Sequence, residues 1–75
     1  MTMFSPDRLR EARLAAGMTP EALAVALGMS SFSTREWERG RVTPRTAIVG
    51  RLADALGCPV ADLFTANGGD GDAAA

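Results

Sequence analysis

The chain has 75 residues, a net charge of −1 and one cysteine, Cys58. This length limits it to one small domain, and a lone cysteine excludes an intrachain disulfide framework. It has no histidine and no Cys/His cluster, so we expect no metal, no cofactor and no enzyme active site.

Neither a secretion signal nor an apolar run near the ~20 residues of a membrane span is visible, which indicates a cytoplasmic protein. Pairs of acids that could serve general acid–base chemistry are poorly spaced. Glu36 and Glu38 are two residues apart, so on a helix they face in different directions. We therefore expect a binding protein without catalytic residues.

The first two helices are predicted from their start and stop signals. Ser5-Pro6 and Thr19-Pro20 each place a capping hydroxyl before a proline, which loses no hydrogen bond at the first helical position. Glycines at 17 and 28 end these helices, because glycine readily takes the left-handed conformation of a helix C-terminus.

Similar signals predict the rest of the bundle. Ser30 caps a third helix that runs to about Arg39, Thr43-Pro44 starts a fourth that ends at Gly57, and a last short turn covers 60–64. No segment has the pattern of a strand. The predicted fold class is all-α: a compact bundle of four to five short helices in residues 1–66. We expect residues 67–75, rich in Gly, Asp and Ala, to form a disordered tail.

The second and third helices are joined only by Gly28 and Met29 before the Ser30 cap. Two short helices across such a glycine turn form a helix-turn-helix, although many helical proteins contain a similar corner.

Arginines cluster in the second half of the chain. Five of the eight lie between residues 35 and 51, against Glu36 and Glu38 as the acids there, so this segment carries a local charge of +3. A local basic face suits contact with phosphate, whatever the total charge. The alternative is an ordinary solvated helix surface.

Several motifs at fixed spacing give the chain a family resemblance over residues 9–64, with no insertion or deletion. They are Gly17-Met18-Thr19, Leu27-Gly28-Met29-Ser30, Trp37-Glu38-Arg39-Gly40, Pro44 and Ala55-Leu56-Gly57. With them the sequence resembles the phage-repressor/Cro-type helix-turn-helix family, the XRE or lambda-repressor-like DNA-binding domains.

The resemblance implies a sequence-specific transcriptional regulator, bacterial or phage, whose partner is double-stranded DNA. Its third helix, about 31–39, would lie in the major groove while the second crosses the backbone. It implies a homodimer on a palindromic site, weak or formed only on DNA, and a location on the nucleoid. It also implies that Arg13 pairs with Glu38 and ties the first helix to the end of the third.

The resemblance also assigns roles to nine DNA-contacting residues. Base contacts fall on Ser31, Phe32, Arg35 and Glu36. Phosphate contacts fall on Thr19, Ser33, Arg39, Arg41 and Arg45.

Three positions depart from the family pattern. Pro20 stands where a glutamine commonly bonds a phosphate, and it offers no N–H. Phe32 can contact a thymine methyl group, or else contact a partner protein or be partly buried. Glu36 can accept from a cytosine amino group, or else pair with Arg39 within the helix. These departures keep a second function open: a helix-turn-helix that binds another protein, with weak or no DNA binding.

Overall fold

Four short helices form the body of the protein. A computed structural model describes residues 2–66. The elements in chain order are strand β1 (Thr2–Phe4), helices α1 (Pro6–Ala15), α2 (Pro20–Leu27), α3 (Ser31–Glu38) and α4 (Thr46–Leu56), a 3-10 turn (Val60–Leu63) and strand β2 (Phe64–Ala66). The predicted helical fold class is confirmed. The proposed tail, 67–75, lies outside the described residues.

The first three helices start at the predicted capping residues. The hydroxyl of Ser5 accepts the N–H of Arg8 at 3.2 Å, and that of Thr19 accepts the N–H of Ala22 at 3.0 Å. Ser30 accepts at a longer 3.4 Å, from Ser33. Each bond satisfies one N–H that has no partner inside its helix.

The predicted start of α4 at Thr43-Pro44 is wrong: the helix begins at Thr46, and its N-cap is Arg45 in an extended conformation. Pro44 is a buried residue of the loop before α4 and does not open the helix. The loop's start is tied back to α3, because the N–H of Arg41 donates to the carbonyl of Glu36 at 3.1 Å.

The expectation of no strand is also wrong. β1 and β2 pair antiparallel with Phe4 opposite Phe64, and the two rings meet edge to face at 6.4 Å between centroids. Three-residue strands are too short to show an alternating pattern, so the pairing comes from tertiary contact. The N–H of Ser5 extends the contact by donating to the carbonyl of Leu63 at 2.9 Å.

One apolar core joins all four helices and the 3-10 turn. Its buried members are Leu9, Leu23, Leu27, Trp37, Val49, Leu52, Ala53, Leu56 and Leu63. Thr34 is fully buried as well, and its hydroxyl lies 2.9 Å from the carbonyl of Ser31 and 3.2 Å from that of Pro20. The buried hydroxyl thus has backbone carbonyls of both α2 and α3 within hydrogen-bond distance. None of the helices described is long and apolar enough to cross a membrane.

Gly28 and Gly50 are expected to respond in opposite directions to substitution by alanine. Gly28 ends α2 at φ +68°, whereas Gly50 lies inside α4, where an added Cβ would meet no atom within 4 Å. We expect Gly28→Ala to lower the free energy of unfolding by about 1–2 kcal/mol, because of left-handed strain. Gly50→Ala should raise it by about 0.5–1 kcal/mol. Urea unfolding followed by circular dichroism measures both. Equal shifts of the same sign would contradict this account of the two sites.

Candidate nucleic-acid interface

The corner between α2 and α3 fixes the direction of the candidate reading helix. Gly28 takes a left-handed conformation at φ +68° and ψ +31°, which lets the N–H of Met29 close on the carbonyl of Ala24 at 2.9 Å. The bond from Thr34 to the carbonyl of Pro20 holds the start of α2 against the middle of α3. These contacts lie at both ends of α2 and help to set its angle to α3.

A buried ion pair ties α1 to the end of α3. Nε of Arg13 donates to Oε2 of Glu38 at 2.6 Å, and Nη2 donates to Oε1 at 3.0 Å. The remaining Nη1 donates to the carbonyl of Met18 at 2.8 Å. The side chains are only 9% and 11% exposed, so this bidentate pair lies largely out of water. The structure thus brings together the two residues that the family resemblance pairs.

This environment keeps Arg13 charged. The hydrogen bond to Glu38 raises the pKa of Arg13 most; burial opposes the rise, and attraction to the Glu38 carboxylate adds to it. The Arg13 guanidinium is therefore a constant positive charge at physiological pH.

Three of the four candidate base-contacting residues are accessible on α3. Phe32 is 69% exposed, and Arg35 is exposed and paired with Glu21 of α2. Ser31 is half-buried, with its hydroxyl 3.5 Å from Nη1 of Arg35. One apolar side chain and one arginine thus project from the first half of the helix.

Glu36, the fourth, is largely buried, and its expected base contact stays a prediction. Its side chain is 10% exposed, with Oε2 3.5 Å from Nη1 of Arg39 and 3.9 Å from Nη1 of Arg41. The loop after α3 folds back over the last turn of the helix and covers this carboxylate. The alternative of pairing with Arg39 is what the structure contains.

The candidate phosphate-contacting residues lie on several elements. Arg39 and Arg41 are well exposed and share Glu36, and Arg45 is exposed at the start of α4. Thr19 is exposed at the start of α2, although its hydroxyl already caps that helix. Ser33 is half-buried, with its hydroxyl 3.4 Å from that of Ser30.

Two further charged residues, Glu21 and Arg10, lie in the site, although the sequence predicts no role for them. Glu21 pairs with Arg35 across the corner, a contact between two helices that no local spacing rule predicts. Arg10 lines a groove of about 260 Å³ between α1 and α3, together with Arg35, Glu38 and Arg39. Its spacing of three from Arg13 places both on one side of α1, and this signal could have identified it.

Comparison with known proteins identifies the family. The model of the helix-turn-helix domain matches residues 7–64, so the chain belongs to that family, and the resemblance to phage-repressor/Cro-type proteins is confirmed. No curated protein matches the chain significantly.

Solved structures of two regulators are similar along most of their length. The restriction-modification controller protein C.AhdI from Aeromonas hydrophila is 33% identical with a TM-score of 0.74, over 77% of this chain and 88% of that one. The clp gene regulator ClgR from C. glutamicum is 34% identical with a TM-score of 0.73, over 77% of this chain and 75% of that one.

A third likeness lies inside a longer protein. Apo-HppE is 28% identical with a TM-score of 0.81, over 93% of this chain but 41% of that one. The same helical domain is therefore also found as part of a larger chain.

The Arg13–Glu38 pair has a matched control in Glu11, an exposed acid of α1. We expect Glu38→Gln to lower the free energy of unfolding by on the order of 3 kcal/mol, because Arg13 keeps its buried charge and loses its counter-ion. Glu11→Gln should change it by less than about 0.5 kcal/mol. Chemical unfolding of both variants measures the difference, and equal, small effects would show that the pair stabilises nothing.

Proposed function

We propose that the protein is a sequence-specific DNA-binding transcriptional regulator that inserts α3 into the major groove. The observation that carries this proposal is the charge and exposure pattern of α3 and its flanks. Phe32 and Arg35 project from the first half of the helix, and exposed arginines follow it at 39, 41 and 45. A reading helix needs side chains aimed at base edges and cations near the flanking phosphates.

In this proposal the bases are read by Ser31, Phe32 and Arg35. An arginine recognises guanine through two hydrogen bonds, a serine hydroxyl can donate or accept, and a phenyl ring packs on a thymine methyl group. Arg35 must first leave Glu21. Both side chains of that pair are about half exposed, so exchanging it for DNA costs little.

The phosphates are held by Arg39, Arg41 and Arg45, with Thr19 and Ser33 closer to the corner. Thr19 sits at the N-terminus of α2, whose positive dipole end favours an anion, although Pro20 has no N–H and the N–H of Ala22 is bonded to the Thr19 hydroxyl. Glu36 takes a supporting role: it lies between the guanidinium groups of Arg39 and Arg41 and limits the directions in which they point.

We further propose that two copies bind a palindromic site with half-sites about one helical turn apart. One copy offers a single eight-residue reading helix, and a second doubles the bases read. Such a protein works in the cytoplasm, on the nucleoid, and has no catalytic role. The likeness to C.AhdI and ClgR, both described as regulators, supports this class of function.

A second function is favoured by one observation. Phe32 leaves 69% of its surface in water, and the whole chain carries a net charge of −1. An exposed aromatic side chain is a typical anchor of a protein interface, so α3 would present it to another protein instead of to DNA.

Selection of duplexes from a random library separates the two functions. DNA reading predicts an enriched, palindromic sequence, with size-exclusion chromatography showing two protein chains for each duplex. A library without enrichment, beside a protein partner whose capture is blocked by Phe32→Ala, would instead establish the interaction module.

Arg41 tests the phosphate contacts. We expect Arg41→Ala to weaken binding to all duplexes by a similar factor and to reduce the slope of log affinity against log salt by about 0.9, because one phosphate contact is lost. Fluorescence anisotropy between low and physiological salt measures the slope. A wild-type slope near zero would refute the DNA-binding proposal itself.

Phe32 tests the base contacts in the same assay. We expect Phe32→Ala to keep the wild-type salt slope and to reduce the preference for thymine at one position of each half-site, because a methyl contact carries no charge. An altered slope with unchanged sequence preference would place Phe32 away from the bases.

A further inference from the structure

The proposed interface uses Arg35 and Arg39 from the groove between α1 and α3 but gives no role to Arg10, which lines the same groove. Arg10 of α1 forms one side, and Arg35, Glu38 and Arg39 of α3 and its end complete it. We propose that this groove binds a phosphate of the DNA backbone, with Arg10 as its principal ligand. The inference rests on the proposed function and extends it to a helix outside the helix-turn-helix.

The acid in the groove is already neutralised. Both carboxylate oxygens of Glu38 accept from Arg13, at 2.6 and 3.0 Å, and its side chain is 11% exposed. Glu38 therefore offers little repulsion to an anion that enters from solvent. The charged groups that face solvent in the groove are the guanidinium groups of Arg10, Arg35 and Arg39.

The three arginines of the groove differ in whether they already pair with an acid. Arg35 is paired with Glu21, and Arg39 lies 3.5 Å from the carboxylate of Glu36. Arg10 is exposed and forms no ion pair with any residue among 2–66. An anion can thus take up the donors of Arg10 without displacing an acid.

The chemistry of the groove suits a phosphodiester. Guanidinium groups match phosphate oxygens with two parallel hydrogen bonds, and they lose less hydration than an ammonium group does. The groove has a volume of about 260 Å³ and is open to solvent, so a hydrated phosphate can enter it.

Its position favours the backbone of a polymer over a small ligand. Arg39 follows α3 directly, so the groove continues from the end of the reading helix to α1. The start of α1 lies close to the end of α3, because an added Cβ on Gly40 would be 3.5 Å from Cγ of Pro6. A phosphate bound there would lie beyond the bases that α3 reads and would lengthen the footprint on DNA.

Arg8 provides a matched control on the same helix. It is exposed like Arg10 and carries the same charge, but it lines a different groove with Glu11, Ala12, Ala15 and Asp62. The variants Arg10→Ala and Arg8→Ala therefore change the net charge equally. Thermal unfolding checks that both remain folded.

The first measurement is the salt dependence of binding to the selected duplex. We expect Arg10→Ala to reduce the slope of log affinity against log salt by about 0.9 and to weaken all duplexes by a similar factor. Arg8→Ala should leave the slope at the wild-type value. If the two variants behave alike while the wild-type slope is steep, the groove proposal is overturned and the proposed function stands.

The second measurement locates the contact on DNA. Duplexes with a single neutral methylphosphonate are compared along each strand. We expect one position outside the enriched bases where neutralisation weakens the wild type and Arg8→Ala but not Arg10→Ala. No such position would overturn the proposal.

Two further outcomes identify a different ligand. Saturable binding of inorganic phosphate that Arg10→Ala abolishes, with DNA affinity unchanged, would make this a site for free phosphate and would overturn the DNA assignment. A wild type that enriches no duplex and shows no salt dependence would overturn the proposed function and this inference together.

Discussion

The arrangement of the interface depends on one buried ion pair. Arg13 uses three of its donors, two on the carboxylate of Glu38 and one on the carbonyl of Met18. A single side chain thus joins α1, the α1–α2 link and the end of α3. Because the pair is bidentate and largely shielded from water, it fixes an orientation as well as a distance. The same contact removes the repulsion of an acid that lies beside the proposed DNA-binding face.

Some polar side chains of α3 hold the helix in the fold, and others are exposed on its outer face. Thr34 and Glu38 face inward, where the first bonds the start of α2 and the second meets Arg13. Glu36 is covered by the following loop and organises two arginines there. The outward positions are left to Phe32 and Arg35. Contacts on three of its polar side chains thus set the position of α3, which suits recognition by a few outward side chains.

What the sequence predicted well was local, and what it missed was not. Ser5, Thr19 and Ser30 cap their helices as predicted, because a capping bond spans three residues and leaves a readable signal. The start of α4, the β1–β2 pairing and the burial of Glu36 depend on segments that meet only after folding. The pair Thr43-Pro44 has the pattern of a helix start, but Pro44 is buried in the loop before α4. The sequence pattern alone does not distinguish these two uses of a proline. The nine assigned DNA contacts stay predictions, and the burial of Glu36 is the reason that the proposed base contacts leave it out.

The small sheet has a mechanical consequence. It pairs residue 2 with residue 66, so polypeptide attached before the one and after the other leaves the domain at neighbouring points. Tension applied between those two attachments would open the ladder one pair at a time, from that end toward Phe4 and Phe64. The helices, and with them the corner between α2 and α3, would carry no load until the two rings had separated. A sheet of three residue pairs thus stands between an external pull and the part that the proposed function uses.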